Sequence, residues 1–245
     1  MYFCVENERR LIIVGKVGAG KSTLGNAILL SNVFTSGQNF GSVTKEWKQD
    51  SCIRRGIKYR VWDTLGVYGI GEQREEACKQ IARLTLATFP GFHCIVLVIS
   101  ATQRITEEDL RVFKDFKAML GEHAFQKFML IVFSGVSKEH VQDLIETNAN
   151  IKDLCERCGH KMGFVKDIDT NRHLGDDDEF FVHVNTIFEE NSKKGYCHMM
   201  YNSTFEKINS AAKKIHKRKQ ISFEQAFQEA KTMALNGDDS KIITS

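Results

Sequence analysis

A phosphate-binding loop near the start of the chain carries the residues with the clearest chemistry. It fits the pattern G-x-x-x-x-G-K-[ST] and reads Gly15-Lys16-Val17-Gly18-Ala19-Gly20-Lys21-Ser22. The glycines allow a turn whose backbone N–H groups face phosphate oxygens. Lys21 supplies a positive charge to the β- and γ-phosphates, and Ser22 offers a hydroxyl to Mg²⁺. A chance glycine turn is the alternative interpretation.

The sequence on both sides of this loop favours the phosphate-binding interpretation. Residues 11–14 form an apolar block typical of a buried parallel strand, and residues 23–30, which begin with Thr23, can form a helix. The positive N-terminal end of that helix attracts anions. We therefore predict that residues 15–23 bind the phosphates of a nucleotide.

A second group of candidate residues follows a later predicted strand at 57–62. That strand ends in Asp63-Thr64-Leu65-Gly66. A carboxylate at the end of a strand can hold a water molecule of the Mg²⁺ shell, so we predict Asp63 as a metal-site residue. Gly66 can bring its backbone N–H to the γ-phosphate. An ordinary strand-end turn is the alternative.

The rest of the sequence predicts one α/β domain and a helical extension. Two strands at 45–53 and 57–62 should form an edge hairpin, and apolar runs at 94–99 and 128–133 should be central parallel strands. Helices are predicted at 72–89, 106–120 and 138–158, the last broken near residues 148–150, and another begins at the acidic run 176–179. Residues 199–233 are predicted as one continuous helix. The predicted divisions are a tail at 1–8, the domain at 9–195, the extension at 196–235 and a flexible tail at 236–245.

Composition narrows the class of protein. The chain has 245 residues, 42% of them hydrophobic, and a net charge of +3, which is too small to argue for nucleic-acid binding. It has no apolar run of membrane-spanning length, so we expect no transmembrane span, and the residues before Glu6 lack the apolar region expected of a signal peptide. Seven scattered cysteines suit a reducing compartment, so we expect a cytoplasmic location. The Cys155-x-x-Cys158 pair with His160 hints only weakly at zinc, and ordinary thiols are favoured.

A basic cluster lies in the predicted C-terminal helix. A solvated helix face is the favoured interpretation, and contact with an anionic membrane surface or an acidic partner is the alternative. The second interpretation would place the protein at the periphery of an intracellular membrane. The cluster consists of Lys213, Lys214, Lys217, Arg218 and Lys219.

The order of these pieces resembles the immunity-associated GTPases known as GIMAPs, in the septin-like branch of P-loop G domains. The stretch from Phe89-Pro90-Gly91-Phe92-His93 through residues 103–109 is similar to the box that separates this family from Ras-like proteins. The similarity covers residues 9–205. It implies a P-loop NTPase three-layer sandwich, with a six-stranded, mostly parallel sheet and helices on both faces. It also implies GTP or GDP with Mg²⁺ as ligands, and nucleotide-dependent dimerisation through the G domain.

The resemblance also implies roles for individual residues. By position, Thr44 matches the switch threonine that senses Mg²⁺ and the γ-phosphate, and Asp63 and Gly66 match the family's D-T-P-G, with Leu65 in place of proline. Arg104 is the candidate for an arginine finger supplied across a dimer, with a surface arginine as the equal alternative. The implied catalytic set is Lys21, Thr44 and Arg104, and the implied metal set is Ser22, Thr44 and Asp63.

The base-reading motif departs from the family pattern. Where the family has T-[RK]-x-D, this chain has Ser134-Gly135-Val136-Ser137. A neutral Ser137 cannot accept two hydrogen bonds from guanine as a carboxylate does, and such charge-assisted bonds are worth roughly 1.5–3 kcal/mol. Asp167, in the second base motif, is the candidate replacement. We predict that Ser134, Ser137 and Asp167 line the base site and that phosphate affinity exceeds guanine selectivity.

Three hypotheses for function follow. The first is a GIMAP-type GTPase that dimerises with GTP and hydrolyses it slowly. The second is a nucleotide-binding scaffold with little turnover and relaxed base selectivity, favoured by Val67 standing where Ras-like proteins carry the water-orienting glutamine. The third is an ATPase or nucleotide kinase that shares the P-loop.

Overall fold

The structure is a computed structural model of the chain, and it describes residues 7–34, 47–64, 81, 83–84, 87–102, 105–165, 174–196 and 200–235. Within that part, six strands and eight helices have defined bounds. The strands are β1 (Glu8–Val14), β2 (Lys48–Arg54), β3 (Ile57–Asp63), β4 (Cys94–Ser100), β5 (Met129–Ser134) and β6 (Met162–Val165). The helices are α1 (Lys21–Leu29), α2 (Glu107–Leu120), α3 (Glu122–Phe128), α4 (Lys138–Thr147), α5 (Ala149–Arg157), α6 (Glu179–Glu190), α7 (Met200–Lys219) and α8 (Phe223–Leu235).

The six strands form one sheet in the order β2-β3-β1-β4-β5-β6. Every neighbouring pair is parallel except β2 and β3, which form an antiparallel hairpin at one edge. The predicted six-stranded, mostly parallel sheet is confirmed, and so is the edge hairpin. Since β1 has β3 on one side and β4 on the other, the strand order reverses there. In open α/β sheets, ligands bind in the crevice at the carboxyl ends of such strands.

Helices cover both faces of the sheet because the central strands are apolar on both faces. Along β1, Ile12 and Val14 pack into a core with α2, α3, α4 and α5. Leu11 and Ile13 point the other way and pack into a second core with α1 and α6. The alternation follows from the two-residue period of a strand. The predicted three-layer arrangement is thus confirmed.

Polar residues set where three helices begin. Thr106 precedes α2 and forms a reciprocal capping box with Asp109. The Asn148 side chain accepts hydrogen bonds from the first turn of α5, which separates that helix from α4. Asp178 caps α6 in the same way. The predicted helix break near residue 148 and the predicted helix after the acidic run are both confirmed.

The prediction of one continuous helix over residues 199–233 is wrong. Gln220 has a positive φ of 54°, which ends α7. Ser222 then starts α8, since its Oγ accepts from the Gln225 N–H and the Gln225 Oε1 accepts from the Ser222 N–H. The two helices pack on each other around a small cluster of their own: Ile208, Ala211, Ala212, Ile215, Ala226 and Ala230.

The second helix of this pair contacts the main domain. Lys231 Nζ donates to the Ala87 carbonyl at 2.8 Å, and the Phe227 and Phe89 rings lie 5.4 Å apart. Among the described residues, no helix is both long enough and apolar enough to cross a bilayer.

The two cysteines weighed as zinc ligands are core residues. Cys155 and Cys158 are both fully buried in the core that lies between the sheet and helices α2 to α5. Burial raises the pKa of the Cys155 thiol to about 11 and that of Cys158 to about 12. Within the described ranges, no three His, Cys, Asp or Glu side chains converge as metal ligands.

Several predicted segments lie largely outside the described residues. These are the two tails, most of the loop at 31–43 and most of the helix at 72–89. Of that helix, the described residues Ile81, Leu84 and Ala87 are buried in the core shared with α2.

Asn26 of α1 fixes where the chain leaves this helix. Its Nδ2 donates to the Phe34 carbonyl and its Oδ1 accepts from the Phe34 N–H, both at 2.8 Å. The Phe34 ring lies over Gly25, whose missing Cβ would come within 2.6 Å of it. The segment that enters the loop at 31–43 is therefore held against α1.

We predict that Asn26→Ala lowers the free energy of unfolding by about 2–4 kcal/mol, because two buried backbone groups of Phe34 lose their partners. Urea titration followed by circular dichroism measures this loss. Asn150→Ala, at an exposed helical position, is the matched control and should change little. A loss for Asn26→Ala no larger than that of the control would contradict the prediction.

Candidate functional site

The phosphate-binding loop lies where β1 ends and α1 begins, at the carboxyl edge of the sheet. Gly18 and Gly20 have φ values of 78° and 95°, a region that side chains disfavour. Gly20 directly precedes the first residue of α1. The strand, turn and helix that the motif requires are all present, and the first turn of α1 points its free N–H groups toward the loop.

The start of the loop lies directly against strand β4. A Cβ built on Gly15 would collide with the Val98 carbonyl oxygen, so only glycine fits there. Val17, in contrast, is 57% exposed at the outer turn of the loop. The loop is therefore anchored at its base by the sheet and open at its tip.

Lys21 lies across the loop rather than in solvent. It is buried, and its Nζ donates to the Lys16 carbonyl at 2.7 Å. The same carbonyl accepts from the Ala19 N–H at 3.2 Å. The ammonium of Lys21 is thus placed above the turn formed by residues 16–19, where an anion bound by the loop amides would meet it.

Ser22 and Asp63 are in direct contact, as their predicted common role requires. Ser22 Oγ donates to Asp63 Oδ2 at 2.7 Å. Asp63 is only 1% exposed, and its Oδ1 is buried and accepts no hydrogen bond from the described residues. Burial raises the pKa of Asp63, while the Ser22 hydrogen bond and the positive charges of Lys21 and Lys48 oppose that rise.

These donors fit a hard divalent cation. A hydroxyl and a carboxylate are oxygen ligands of the kind that Mg²⁺ prefers, and the unsatisfied Oδ1 is an acceptor that a metal-bound water could use. Mg²⁺ would be held by Ser22 and Asp63. The adjacent Thr64 donates a hydrogen bond from its Oγ1 to the Ile13 carbonyl at 2.7 Å. This bond connects the end of β3 to β1.

Ser134, the last residue of β5, supports the phosphate-binding loop. Its Oγ donates to the Ala19 carbonyl at 2.8 Å, and the residue is 2% exposed. Ser137 lies at the N-cap of α4, half-buried, and its side chain makes no capping hydrogen bond. Contact of Ser134 or Ser137 with a base stays a prediction.

Four predicted site residues lie outside the described residues. They are Thr44, Gly66, Arg104 and Asp167. Their assignments to Mg²⁺, the γ-phosphate, the dimer partner and the base remain predictions.

One contact was not foreseen from the sequence. Lys16 Nζ lies 2.8 Å from Asp109 Oδ2, and both side chains are buried. The pattern Thr106-x-x-Asp109 indicates a capping box, but it does not indicate that Asp109 has a partner in the phosphate-binding loop. A pairing across 93 positions arises only from the tertiary fold.

The raised pKa of Asp63 gives a prediction for the ligand-free protein. A carboxyl with a higher pKa in the folded than in the unfolded chain destabilises the fold at pH values above both, and this loss vanishes below the unfolded value. We therefore expect Asp63→Asn to raise the thermal unfolding temperature near neutral pH. The gain should shrink as the pH falls toward 3.8, the ordinary aspartate value.

Thermal unfolding followed by circular dichroism, without nucleotide or Mg²⁺, checks this expectation. Asp143→Asn, at an exposed position of α4, is the control and should change little at either pH. An Asp63→Asn protein that unfolds at a lower temperature than the wild type near neutral pH would contradict it.

Comparison with known proteins agrees with the geometry. Immune-associated nucleotide-binding protein 13 of Arabidopsis thaliana is 28% identical over 170 residues, which are 69% of this chain and 48% of that protein. GTPase IMAP family member 8 of Homo sapiens is 31% identical over 156 residues, which are 62% of this chain and 23% of that protein. The chain thus matches about half or less of the length of these relatives.

Solved structures share the fold. Toc33 from Arabidopsis thaliana, in a dimerization-deficient mutant, superposes with a TM-score of 0.59 at 17% identity, over 78% of this chain and 88% of that one. Toc33 in complex with GDP and Mg²⁺ gives a TM-score of 0.57 at 18% identity, with the same coverage. The sequence profile of the AIG1 family matches residues 9–218. The chain belongs to the AIG1 family.

Proposed function

We propose that this chain binds a guanine nucleotide with Mg²⁺ at the carboxyl edge of its sheet. The observation that carries the proposal is the assembled phosphate site, in which Lys21 lies over the glycine turn and Ser22 contacts Asp63 at 2.7 Å. Relatives named as GTPases and as nucleotide-binding proteins support the choice of ligand. In this proposal, residues 9–195 form the G domain and residues 196–235 the helical extension, with tails at 1–8 and 236–245.

Each side chain of the site has a part in holding the triphosphate. Lys21 moves its ammonium from the Lys16 carbonyl to the β- and γ-phosphates, where a charged partner replaces a neutral one. Ser22 and Thr44 provide oxygens to Mg²⁺, and the Asp63 carboxylate orients water around it. When bound, Mg²⁺ neutralises charge on the phosphate oxygens. Gly66 donates its N–H to the γ-phosphate.

Slow hydrolysis and dimerisation form the finer part of the proposal. Arg104, supplied by a second copy, would neutralise charge that spreads over the γ-phosphate during hydrolysis. In the chloroplast translocon components atToc33 and psToc159, dimerization is important for the GTPase activity. Because this chain resembles atToc33 only in fold, the proposed dimer is based here on the predicted role of Arg104.

A second candidate function is a nucleotide-binding scaffold with little turnover and relaxed base selectivity. Ser137 favours it, because this position offers a neutral hydroxyl at the N-cap of α4 instead of a carboxylate. Asp167 is the proposed replacement acceptor for guanine. A P-loop ATPase is the remaining alternative, and the base preference separates it from the others.

The exposed basic face of α7 is relevant to whether the protein contacts a membrane surface. Its cationic residues at 213–214 and 217–219 all lie at exposed positions. A solvated face is the simpler interpretation. Peripheral contact of a cytoplasmic protein with an anionic membrane surface is the alternative that we keep, because clustered lysines and arginines attract such surfaces.

Nucleotide binding is tested by calorimetric titration of the chain with GTP, GDP and ATP in Mg²⁺. We predict that GTP and GDP bind and that Lys21→Ala weakens both by about 10- to 100-fold, because a charge-assisted contact with phosphate is lost. Lys152→Ala, at an exposed position of α5, is the matched control and should bind like the wild type. Absence of GTP and GDP binding by the wild type would overturn the proposal, and equal affinity for ATP would favour relaxed selectivity.

Hydrolysis is tested by measuring phosphate release against protein concentration. We predict slow turnover, below about 10⁻² s⁻¹, the rate for a G protein with its own arginine in place. Specific activity should rise with concentration, and Arg104→Ala should abolish the rise. Arg111→Ala, on the exposed side of α2, should leave it intact. Specific activity that does not change with concentration, or that Arg104→Ala leaves unchanged, would contradict the role of Arg104 as an arginine finger. Absence of phosphate release would favour the scaffold hypothesis.

A further inference from the structure

A buried ion pair joins the phosphate-binding loop to the beginning of α2. Lys16 Nζ lies 2.8 Å from Asp109 Oδ2, and the two side chains are only 7% and 2% exposed. Lys16 is the second residue of the loop, and Asp109 is in the first turn of the helix that follows β4. The pair therefore connects the phosphate-binding loop after β1 with the helix that follows β4.

The Asp109 carboxylate depends on this lysine. Its Oδ2 also accepts from the Thr106 N–H at 2.8 Å and from the Thr106 Oγ1 at 2.9 Å, whereas its Oδ1 is buried and accepts no hydrogen bond from the described residues. Lys16 is the only cation that forms an ion pair with Asp109 in the described part of the chain. Removing it would leave a buried charge without compensation, which is strongly unfavourable.

The backbone of Lys16 carries the effect of this pair to the centre of the site. The Lys16 carbonyl accepts from Lys21 Nζ at 2.7 Å and from the Ala19 N–H at 3.2 Å. Any displacement of Lys16 therefore moves both the turn that should bind phosphate and the group that holds the Lys21 ammonium. The side chain of Lys16 is itself held by the contact with Asp109.

We infer that Asp109 is a positioning residue for phosphate binding: it holds Lys16, and through the Lys16 backbone it sets the place of Lys21 and of the loop amides. The inference rests on the proposed nucleotide binding. Since Oδ2 of Asp109 also holds Thr106, the phosphate-binding loop shares one anchor with the segment that directly follows Arg104 in the sequence. The position of that segment is thereby coupled to the loop that grips the phosphates.

The test compares the full chain with Asp109→Asn, Lys16→Met and the double variant, by calorimetric titration with Mg²⁺ and either GDP or GMP. GMP lacks the β-phosphate that Lys21 and the loop would hold. Its affinity therefore measures the contacts made by the rest of the nucleotide. We expect each single variant to bind GDP at least about tenfold more weakly. A loss of this size is typical when a residue that orients a binding group is removed. Affinity for GMP should change by less than about twofold, since base and ribose contacts stay in place.

The double variant separates positioning from stability. With both charges gone, neither is left buried alone, so its thermal unfolding temperature should lie closer to the wild type than those of the single variants. Its GDP affinity should remain about tenfold reduced, because the anchor is still missing. This variant carries the test if a single variant fails to fold. Asp115→Asn, which removes a buried carboxylate from the same helix, is the control and should keep the wild-type ratio of GDP to GMP affinity.

The outcomes distinguish this inference from the proposal on which it rests. A wild type that binds no nucleotide overturns both. A wild type that binds GDP, together with a double variant that keeps the wild-type ratio of GDP to GMP affinity, overturns the inference and leaves the proposed function standing. A lowered unfolding temperature with an unchanged affinity ratio shows that the pair serves stability alone.

Discussion

The shape of the phosphate-binding loop is the constraint on which the rest of the structure depends. Glycine has little conformational preference of its own, so a loop with glycine at positions 15, 18 and 20 takes its conformation from its surroundings. The Val98 carbonyl lies against Gly15, the Ser134 hydroxyl binds the Ala19 carbonyl, and Asp109 holds Lys16. Three separate elements of the fold, β4, α2 and β5, thus fix the loop.

The site also contains charges that the fold alone does not fully satisfy. Asp63 and Asp109 each bury one carboxylate oxygen that accepts no hydrogen bond from the described residues. Burying such groups costs stability, and proteins retain this cost where a ligand or a function compensates it. For Asp63 the compensating group would be a cation. For Asp109 the compensating charge is already part of the fold, the lysine of the loop.

Much of the fold was predictable from the sequence because its signals are local. The apolar runs at β1, β4 and β5 required burial on both faces, which indicates a parallel sheet covered by helices. Caps at Asn148 and Asp178 marked helix starts correctly. The break at Gln220 was missed because no glycine or proline marks it, although Ser222-x-x-Gln225 did contain a capping signal for the next helix.

The site was predictable only where a motif fixes both spacing and context. The contact between Ser22 and Asp63 is the kind of arrangement that a loop after one strand and a carboxylate after its neighbour must produce. Two other contacts were not predictable. Ser134 was assigned to the base site, and no pattern in the sequence indicated that its hydroxyl also donates to the Ala19 carbonyl. Asp109 had no predicted role in the site, and it pairs with Lys16. Both contacts depend on how separate segments meet in space, and no spacing rule encodes that.

The claim at the centre of this account is that the backbone amides of residues 15–22 grip a polyphosphate. Two-dimensional ¹H–¹⁵N spectra of the full chain, recorded during titration with Mg²⁺ and pyrophosphate, test it without any contribution from a base or a ribose. The account predicts that the amide resonances of Gly18, Gly20 and Lys21 move the most and shift downfield, as expected when N–H groups donate to anionic oxygens. Pyrophosphate that leaves these resonances in place and shifts others in the chain would contradict it.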